Sequence, residues 1–433
     1  MQIIDNSALR VTVHSTAVPD ILKRIERSDI LEYSGEFSDI IIYWGYDEVF
    51  KLNQLIDFSI KPPSPMQRDY KWPGLYTPFD HQRVTAEFLS IHSRAFCFNE
   101  AGTGKTSSVI WAADYLMNMG AIKRVLVLCP VSIMYTAWQA EVFKTAIHRR
   151  CGVAHGPSAK REKIIKGDYE FVIINYDGVK TVTEALADAK FDLIVVDEAN
   201  ALKATNTVRW KIFHKLLTPS TRLWMLTGTP AAQSPVDAYG LAKLVSPQNV
   251  PKVAAAWRDK VMYQISRFKW SPKHTAKDTV FAALQPAIRF AKADCVDLPD
   301  VVFQTREIPL TPQAMRYYKT LKDEMLIEAA GVQISAVNAA VNLNKLLQLS
   351  GGAVYTDEHD VIEFDISPRF AALTEVLEET EHKVIIFVPY KHTINMVSQF
   401  LTKEGVTNEV INGAVSANER KNIIERFQNT DSP

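Results

Sequence analysis

Residues 99–106 read Asn-Glu-Ala-Gly-Thr-Gly-Lys-Thr and follow the apolar run Ala95-Phe96-Cys97-Phe98. A strand that enters a glycine-rich turn and leaves as a helix can cradle phosphate. Gly102 and Gly104, on either side of Thr103, let the backbone bend tightly and turn several N–H groups inward. Lys105 can reach the terminal phosphates of a nucleotide, and the Thr106 hydroxyl is placed to hold magnesium. Beyond it Val109, Ile110, Ala113, Leu116 and Met117 recur at helical spacing, and Gly120 closes the helix. The helix therefore aims its positive end at the phosphates. The general P-loop pattern wants glycine where this chain has Asn99, so the match is incomplete.

A second set completes the chemistry. Leu193-Ile194-Val195-Val196 runs straight into Asp197-Glu198-Ala199-Asn200. Asp197 would hold magnesium through water, and Glu198 would orient and deprotonate the attacking water. Two solvated carboxylates at a strand end are the plainer alternative. The cradle roughly ninety residues upstream favours the catalytic one. Another strand, Arg222 to Leu226, ends in Thr227-Gly228-Thr229-Pro230. Upstream, Thr77 to Arg83 places the Gln82 amide where it can read an adenine edge, with an aromatic neighbour to stack on the ring.

The elements that must position these residues are legible as continuous apolar runs. They are 95–98, Val125 to Leu128, Phe171 to Ile174, Leu193 to Val196, Leu223 to Leu226 and Val384 to Val388. Continuous rather than alternating apolarity marks strands buried on both faces, hence an α/β fold with a parallel sheet. Ligands of such sheets sit at the carboxyl ends of the strands, where the polar motifs fall. Between about 236 and 350 the pattern turns mostly helical, without clean strands. Residues 1–75 look separate, with strands at Arg10 to His14 and Ile40 to Trp44, helical stretches at Pro19 to Arg27 and Val49 to Phe58, and a linker at Lys61 to Pro65.

The 433 residues are 47% apolar and 23% charged, enough for about three domains. Lys+Arg and Asp+Glu number 49 each, so no global field draws the chain to nucleic acid and any such contact is local. The four cysteines include no C-x-x-C pair and read as reduced thiols. His148, Cys151 and His155 have metal-like spacing but no evident fourth ligand. With no membrane-spanning run and no signal-peptide core, the expectation is an intracellular, cytoplasmic chain, in the host cytoplasm if viral.

As an ordered set, Gln82 with Pro78, the 101–106 loop, the 197–200 box and the 227–230 motif resemble the superfamily 2 helicase motors. The closer resemblance is to the Swi/Snf-type DNA-dependent ATPases, especially compact bacterial and viral members. Further matches are Pro130 with Ser132, Trp138 and Glu141; Asn175-Tyr176; Leu298-Pro299 before Tyr317 and Leu321; Lys383 to Phe387; and Gly413, Ser416, Glu419, Arg420 and Phe427. The resemblance covers 76–433.

It implies two RecA-like domains, ATP and Mg2+ as cofactors, and double-stranded DNA as a sequence-independent partner. The expected divisions are an accessory α/β unit over 1–75, a first RecA-like domain over 76–235, a mostly helical insertion over 236–350 and a partial second RecA-like domain over 351–433. Ser132, Asn175, Tyr176, Thr227 and Gly228 match positions that grip DNA. Arg267 and Lys269 lie in the segment 252–277, which carries seven Lys/Arg against one Asp, a local charge of +6, with Tyr263, Phe268 and Trp270 interleaved. A solvated helical insertion whose aromatics dock on the motor accounts for that segment equally well. Residues 1–75 could recruit a protein partner.

Two departures matter. Asn200 stands where the family usually has histidine; it can still hydrogen-bond towards the Thr-Gly-Thr motif. The family's later motifs, with the arginines that complete the ATP site, are not found up to Pro433. A truncated chain that binds nucleotide but barely hydrolyses it is therefore expected, with a less stable second domain. The alternatives are a strand-separating DNA or RNA helicase, and a nucleotide-gated scaffold with vestigial hydrolysis.

Overall fold

The computed structural model describes residues 1–56, 61–231, 233–267, 269–295, 297, 299, 301–331, 336–355, 361–380 and 382–429. They divide into two bodies, Met1–Pro299 and Asp300–Pro433. The first begins with an antiparallel sheet of β1 (Gln2–Ile4), β2 (Ala8–His14), β3 (Ser28–Ser34) and β4 (Phe37–Tyr43), in the order β1-β2-β4-β3. Leu9, Val11 and Val13 alternate with exposed residues along β2, and with Ile40 and Ile42 they pack under the helices Val18–Arg24 and Tyr46–Leu55. β3 is exposed along nearly its whole length, so its sequence carries no alternation. Phe58 lies outside the described residues.

The Lys61–Pro65 segment is not a linker. Ser64 is 2% exposed, its hydroxyl is 2.7 Å from that of Ser90, and the Pro63 carbonyl accepts from the Trp44 indole at 2.9 Å. Prolines lack an N–H, so this extended stretch can be buried with few orphaned donors. Tyr46, Met66 and Tyr70 continue into one core with Trp111 and Tyr115, so 1–75 packs as part of the first body. Below them the fully buried Asp114 accepts from Tyr70 Oη at 2.6 Å and Arg149 Nε at 2.5 Å, with His148 Nε2 at 2.8 Å. Asp114→Ala takes the acceptor from the Tyr70 hydroxyl, while Arg149 keeps Glu170 and Asn118, and is expected to cost about 1–3 kcal/mol in denaturant unfolding. His155 in turn lies 3.3 Å from Tyr135 Oη, and among the described residues no three or more of His, Cys, Asp and Glu gather as metal ligands.

The main sheet of the first body comprises β5 (Arg94–Cys97), β6 (Val125–Cys129), β7 (Cys151–Ala154), β8 (Phe171–Asn175), β9 (Leu193–Asp197) and β10 (Arg222–Leu226). The region 236–299 adds three strands where none was expected. β11 (Met262–Ser266) and β12 (Lys269–Pro272) form a hairpin, and β13 (Ala287–Ile288) joins the sheet. The sheet order is β13-β5-β10-β9-β6-β8-β7, and every pairing is parallel. β6, β8, β9 and β10 are buried at every residue, as their unbroken apolar runs require. β13 has two residues and β11 is mostly exposed, so neither leaves a pattern to read. Parallel alignment puts the turns after β5, β9 and β10 on one edge, which holds the cradle, the acidic box and the Thr-Gly-Thr motif together.

The second body contains the helices Pro312–Gly331, Ala336–Ser350, Ser367–Glu378, Lys391–Lys403 and Ala417–Asn429, with a hairpin of β14 (Ala353–Tyr355) and β15 (Val361–Glu363). Its core includes Ala314, Leu349 and Phe364, and Tyr317 meets Phe364 edge-on at 5.3 Å. Leu298 lies outside the described residues. The strand expected at Val384 to Val388 does not form. It pairs with no described strand, and Ile385 and Phe387 are 63% and 91% exposed.

Candidate nucleotide site

Gly102 and Gly104 have φ of +83° and +74°, the left-handed region that only glycine enters without strain. A Cβ on Gly104 would also stand 1.9 Å from Gln82 Nε2. The turn feeds the helix Lys105–Asn118, whose first N–H groups face the cradle. Lys105 Nζ donates to the carbonyls of Asn99 and Glu100 at 2.9 and 3.0 Å, so the lysine is folded back over its own loop. Thr103 Oγ1 donates to the Glu100 carbonyl at 2.8 Å, and His81 Nε2 lies 2.8 Å from the Thr103 carbonyl. Asn99, which breaks the glycine pattern, has a use the sequence did not reveal. Its Nδ2 donates to Thr85 Oγ1 at 2.8 Å, and its Oδ1 accepts from the Phe290 N–H at 3.1 Å. The side chain ties the loop to the preceding helix and to the chain beyond β13.

Gln82 is buried, and its Oε1 accepts from the Phe79 N–H at 3.0 Å. In this conformation the amide caps its own helix and touches the loop. Beside it the Phe79 ring is 59% exposed, the aromatic face available for stacking.

Asp197 ends β9 almost buried. Trp138 Nε1 donates to its Oδ2 at 2.9 Å and the Glu198 N–H to its Oδ1 at 3.0 Å. Burial pushes its pKa up, while these donors and Lys105 act to lower it. Glu198 has φ +54°, a strained value for a residue with a side chain, and is exposed at the strand end. Asn200 Nδ2 donates to Thr227 Oγ1 at 3.1 Å and to the Thr229 carbonyl at 3.0 Å. The reach expected of this asparagine towards the Thr-Gly-Thr motif is therefore made. Trp138 came from the sequence only as a match within the resemblance, with no role. A buried indole needs an acceptor, and that is the signal which could have pointed to it.

The SNF2-related domain family matches residues 81–366, and the helicase conserved C-terminal domain matches 368–433. The chain belongs to the SNF2-related family. Membership places it among the ATP-dependent helicase-type motors. It is 25% identical over 348 residues to putative protein p41 of Acyrthosiphon pisum secondary endosymbiont phage 1, across 76% of this chain and 75% of that one. An uncharacterized ATP-dependent helicase of Mycoplasma genitalium is 23% identical over 342 residues, 77% of this chain but 32% of its own length. The SWI/SNF-related matrix-associated actin-dependent regulator of chromatin subfamily A-like protein 1 of Xenopus laevis is 23% identical over 372 residues, 83% of this chain and 36% of its own. The chain thus spans about a third of the length of these last two relatives. Among solved structures, the Sulfolobus solfataricus SWI2/SNF2 ATPase core in complex with dsDNA aligns with a TM-score of 0.48 and 24% identity, covering 83% of this chain and 77% of that one.

The DNA-gripping positions expected of a SNF2-related chain fare unequally. Ser132 is exposed on the turn Val131–Ile133, and Gly228 lies beside the cradle, its would-be Cβ 3.6 Å from the Ala101 nitrogen. Asn175, Tyr176 and Thr227 are turned inward. Asn175 Oδ1 accepts from Arg161, Tyr176 Oη donates to the Asp197 carbonyl, and Thr227 Oγ1 takes the Asn200 amide. These three side chains hold the motifs in place, a distinction that depends on tertiary burial. The basic segment is the helix Ala254–Val261 followed by the β11–β12 hairpin. Trp257 is fully buried in the main core with Trp270 packed against it, so the docking of aromatics in the alternative reading is met in part. Arg258 stacks 4.2 Å from the Trp270 ring, Lys273 Nζ donates to the Asp259 carbonyl at 2.5 Å, and Arg267 and Lys269 are exposed near the hairpin tip. Phe268 lies outside the described residues.

Proposed function

We propose that the chain is an ATP-driven translocase on double-stranded DNA. The observation that carries this is the convergence of three turns on one sheet edge. Lys105 and Thr106, Asp197 and Glu198, and the Asn200–Thr227 link all follow the carboxyl ends of neighbouring parallel strands. The left-handed glycines and inward N–H groups suit phosphate. A carboxylate with each oxygen already holding one donor, together with the Thr106 hydroxyl, suits Mg2+, which when bound neutralises charge on the phosphate oxygens. Lys105 leaves the carbonyls of Asn99 and Glu100 for the phosphates. Glu198, aimed outward by its backbone, orients water and accepts its proton. Phe79 offers a stacking face to adenine, and Gln82 reads the base edge after releasing the Phe79 N–H.

DNA is gripped by phosphates, through Ser132, Gly228 and the β11–β12 hairpin, so binding is sequence-independent. Arg267→Gln with Lys269→Gln should weaken duplex affinity, lower the salt slope by about two and leave ATP affinity intact. Lys273 is spared because it holds the Asp259 carbonyl. Unchanged affinity and slope would remove the hairpin from the DNA surface. A protein partner at β3, where Leu31 and Tyr33 are exposed, and work in the cytoplasm belong to the same proposal. The deciding experiment compares ATP turnover with duplex DNA, single-stranded DNA and RNA, then triplex displacement with unwinding of a forked duplex. Displacement without unwinding marks a translocase; unwinding marks a strand-separating helicase.

A further inference from the structure

The segment from Val131 to Thr145 touches both sides of the metal-holding pair. It starts as the turn Val131–Ile133, which carries Ser132, continues as the π-helical stretch Met134–Gln139 and ends as the helix Ala140–Thr145. A π turn is a poorer helix than an α turn and is kept mainly where it aims a side chain for use. Here it carries Trp138, fully buried, with Nε1 2.9 Å from Asp197 Oδ2. Indole N–H only donates, so the contact favours Asp197 as a carboxylate and fixes the plane of that group. On the next turn Glu141 Oε1 accepts from Ser107 Oγ at 2.5 Å and from Thr145 Oγ1 at 3.3 Å. Ser107 directly follows Thr106. One short segment therefore contacts Asp197 itself and the immediate neighbour of Thr106, and its first turn carries the exposed Ser132.

We propose that Trp138 and Glu141 are positioning residues that set Asp197 and Thr106 for Mg2+, and that DNA phosphate at Ser132 acts on the nucleotide site through this segment. The proposal rests on the DNA-dependent reading above. Its coupling is reciprocal: if DNA at Ser132 tightens or loosens nucleotide, magnesium-nucleotide changes DNA affinity by the same factor.

The test titrates Mg2+ against binding of a fluorescent non-hydrolysable ATP analogue, with and without duplex DNA, in the full chain. Trp138→Phe keeps an aromatic side chain of smaller volume and loses the donor. The half-saturating Mg2+ should rise on the order of tenfold, the size of one lost hydrogen bond to a charged group, while binding without Mg2+ stays as in the unaltered chain. The factor by which DNA changes nucleotide affinity should collapse towards one. Glu141→Ala, on a partly exposed helix, should shift the Mg2+ dependence in the same direction and decides the matter if Trp138→Phe fails to fold. Unaltered Mg2+ titrations in folded variants, with only the melting temperature lowered, would reduce both residues to packing. If the unaltered chain shows no response to DNA, the DNA-dependent reading fails and the Mg2+ shift alone still tests the positioning role.

Discussion

Glu198→Gln is expected to bind ATP and duplex DNA as the unaltered chain does while hydrolysing at least about a hundredfold more slowly. The substitution keeps shape and hydrogen-bonding length but cannot take a proton from water. Because the side chain is exposed and its left-handed backbone is fixed by the turn after β9, little else should change. Nucleotide binding by filter retention and turnover by phosphate release measure the two quantities separately. Turnover equal to that of the unaltered chain would move the base to another residue.

Lys105→Ala should fail one step earlier, with ATP affinity weakened on the order of a hundredfold or more and DNA affinity kept in the absence of nucleotide. The ammonium is the cation at the head of the phosphate-facing helix, and alanine leaves only the loop N–H groups. Its present acceptors, the Asn99 and Glu100 carbonyls, lose a donor as well, so some loosening of the loop should accompany the loss. Calorimetry with ATP reads the effect directly. The two variants thus separate loss of catalysis from loss of binding.

The candidate site was legible because its signals are local. Gly102, Gly104, Lys105 and Thr106 are adjacent, and strands buried on both faces must be unbroken apolar runs. The role of Asn200 was also readable, since an amide in that position has one motif within reach. What stayed hidden depended on partners distant in sequence. Nothing near Tyr176 says that its hydroxyl serves the Asp197 carbonyl and not a phosphate. Lys61 to Pro65 has the composition of a linker, and it is the pairing of Ser64 with Ser90 and of the Pro63 carbonyl with the Trp44 indole that makes it core. Val384 to Val388 has the composition of a strand, yet a strand exists only beside a partner.

β13 bears on how the chain is made. The N–H groups of Phe96, Phe98 and Glu100 donate to the carbonyls of Pro286, Ile288 and Phe290, and the Phe290 N–H returns to Asn99 from 191 residues away. On the ribosome the glycine loop emerges early, but one flank of its strand stays an open ladder until the chain has grown past Phe290. By then the acidic box and the Thr-Gly-Thr motif have already been synthesised. The strand that leads into the glycine loop therefore lacks its last neighbour, and Asn99 one of its two partners, until residues 286–290 have been made.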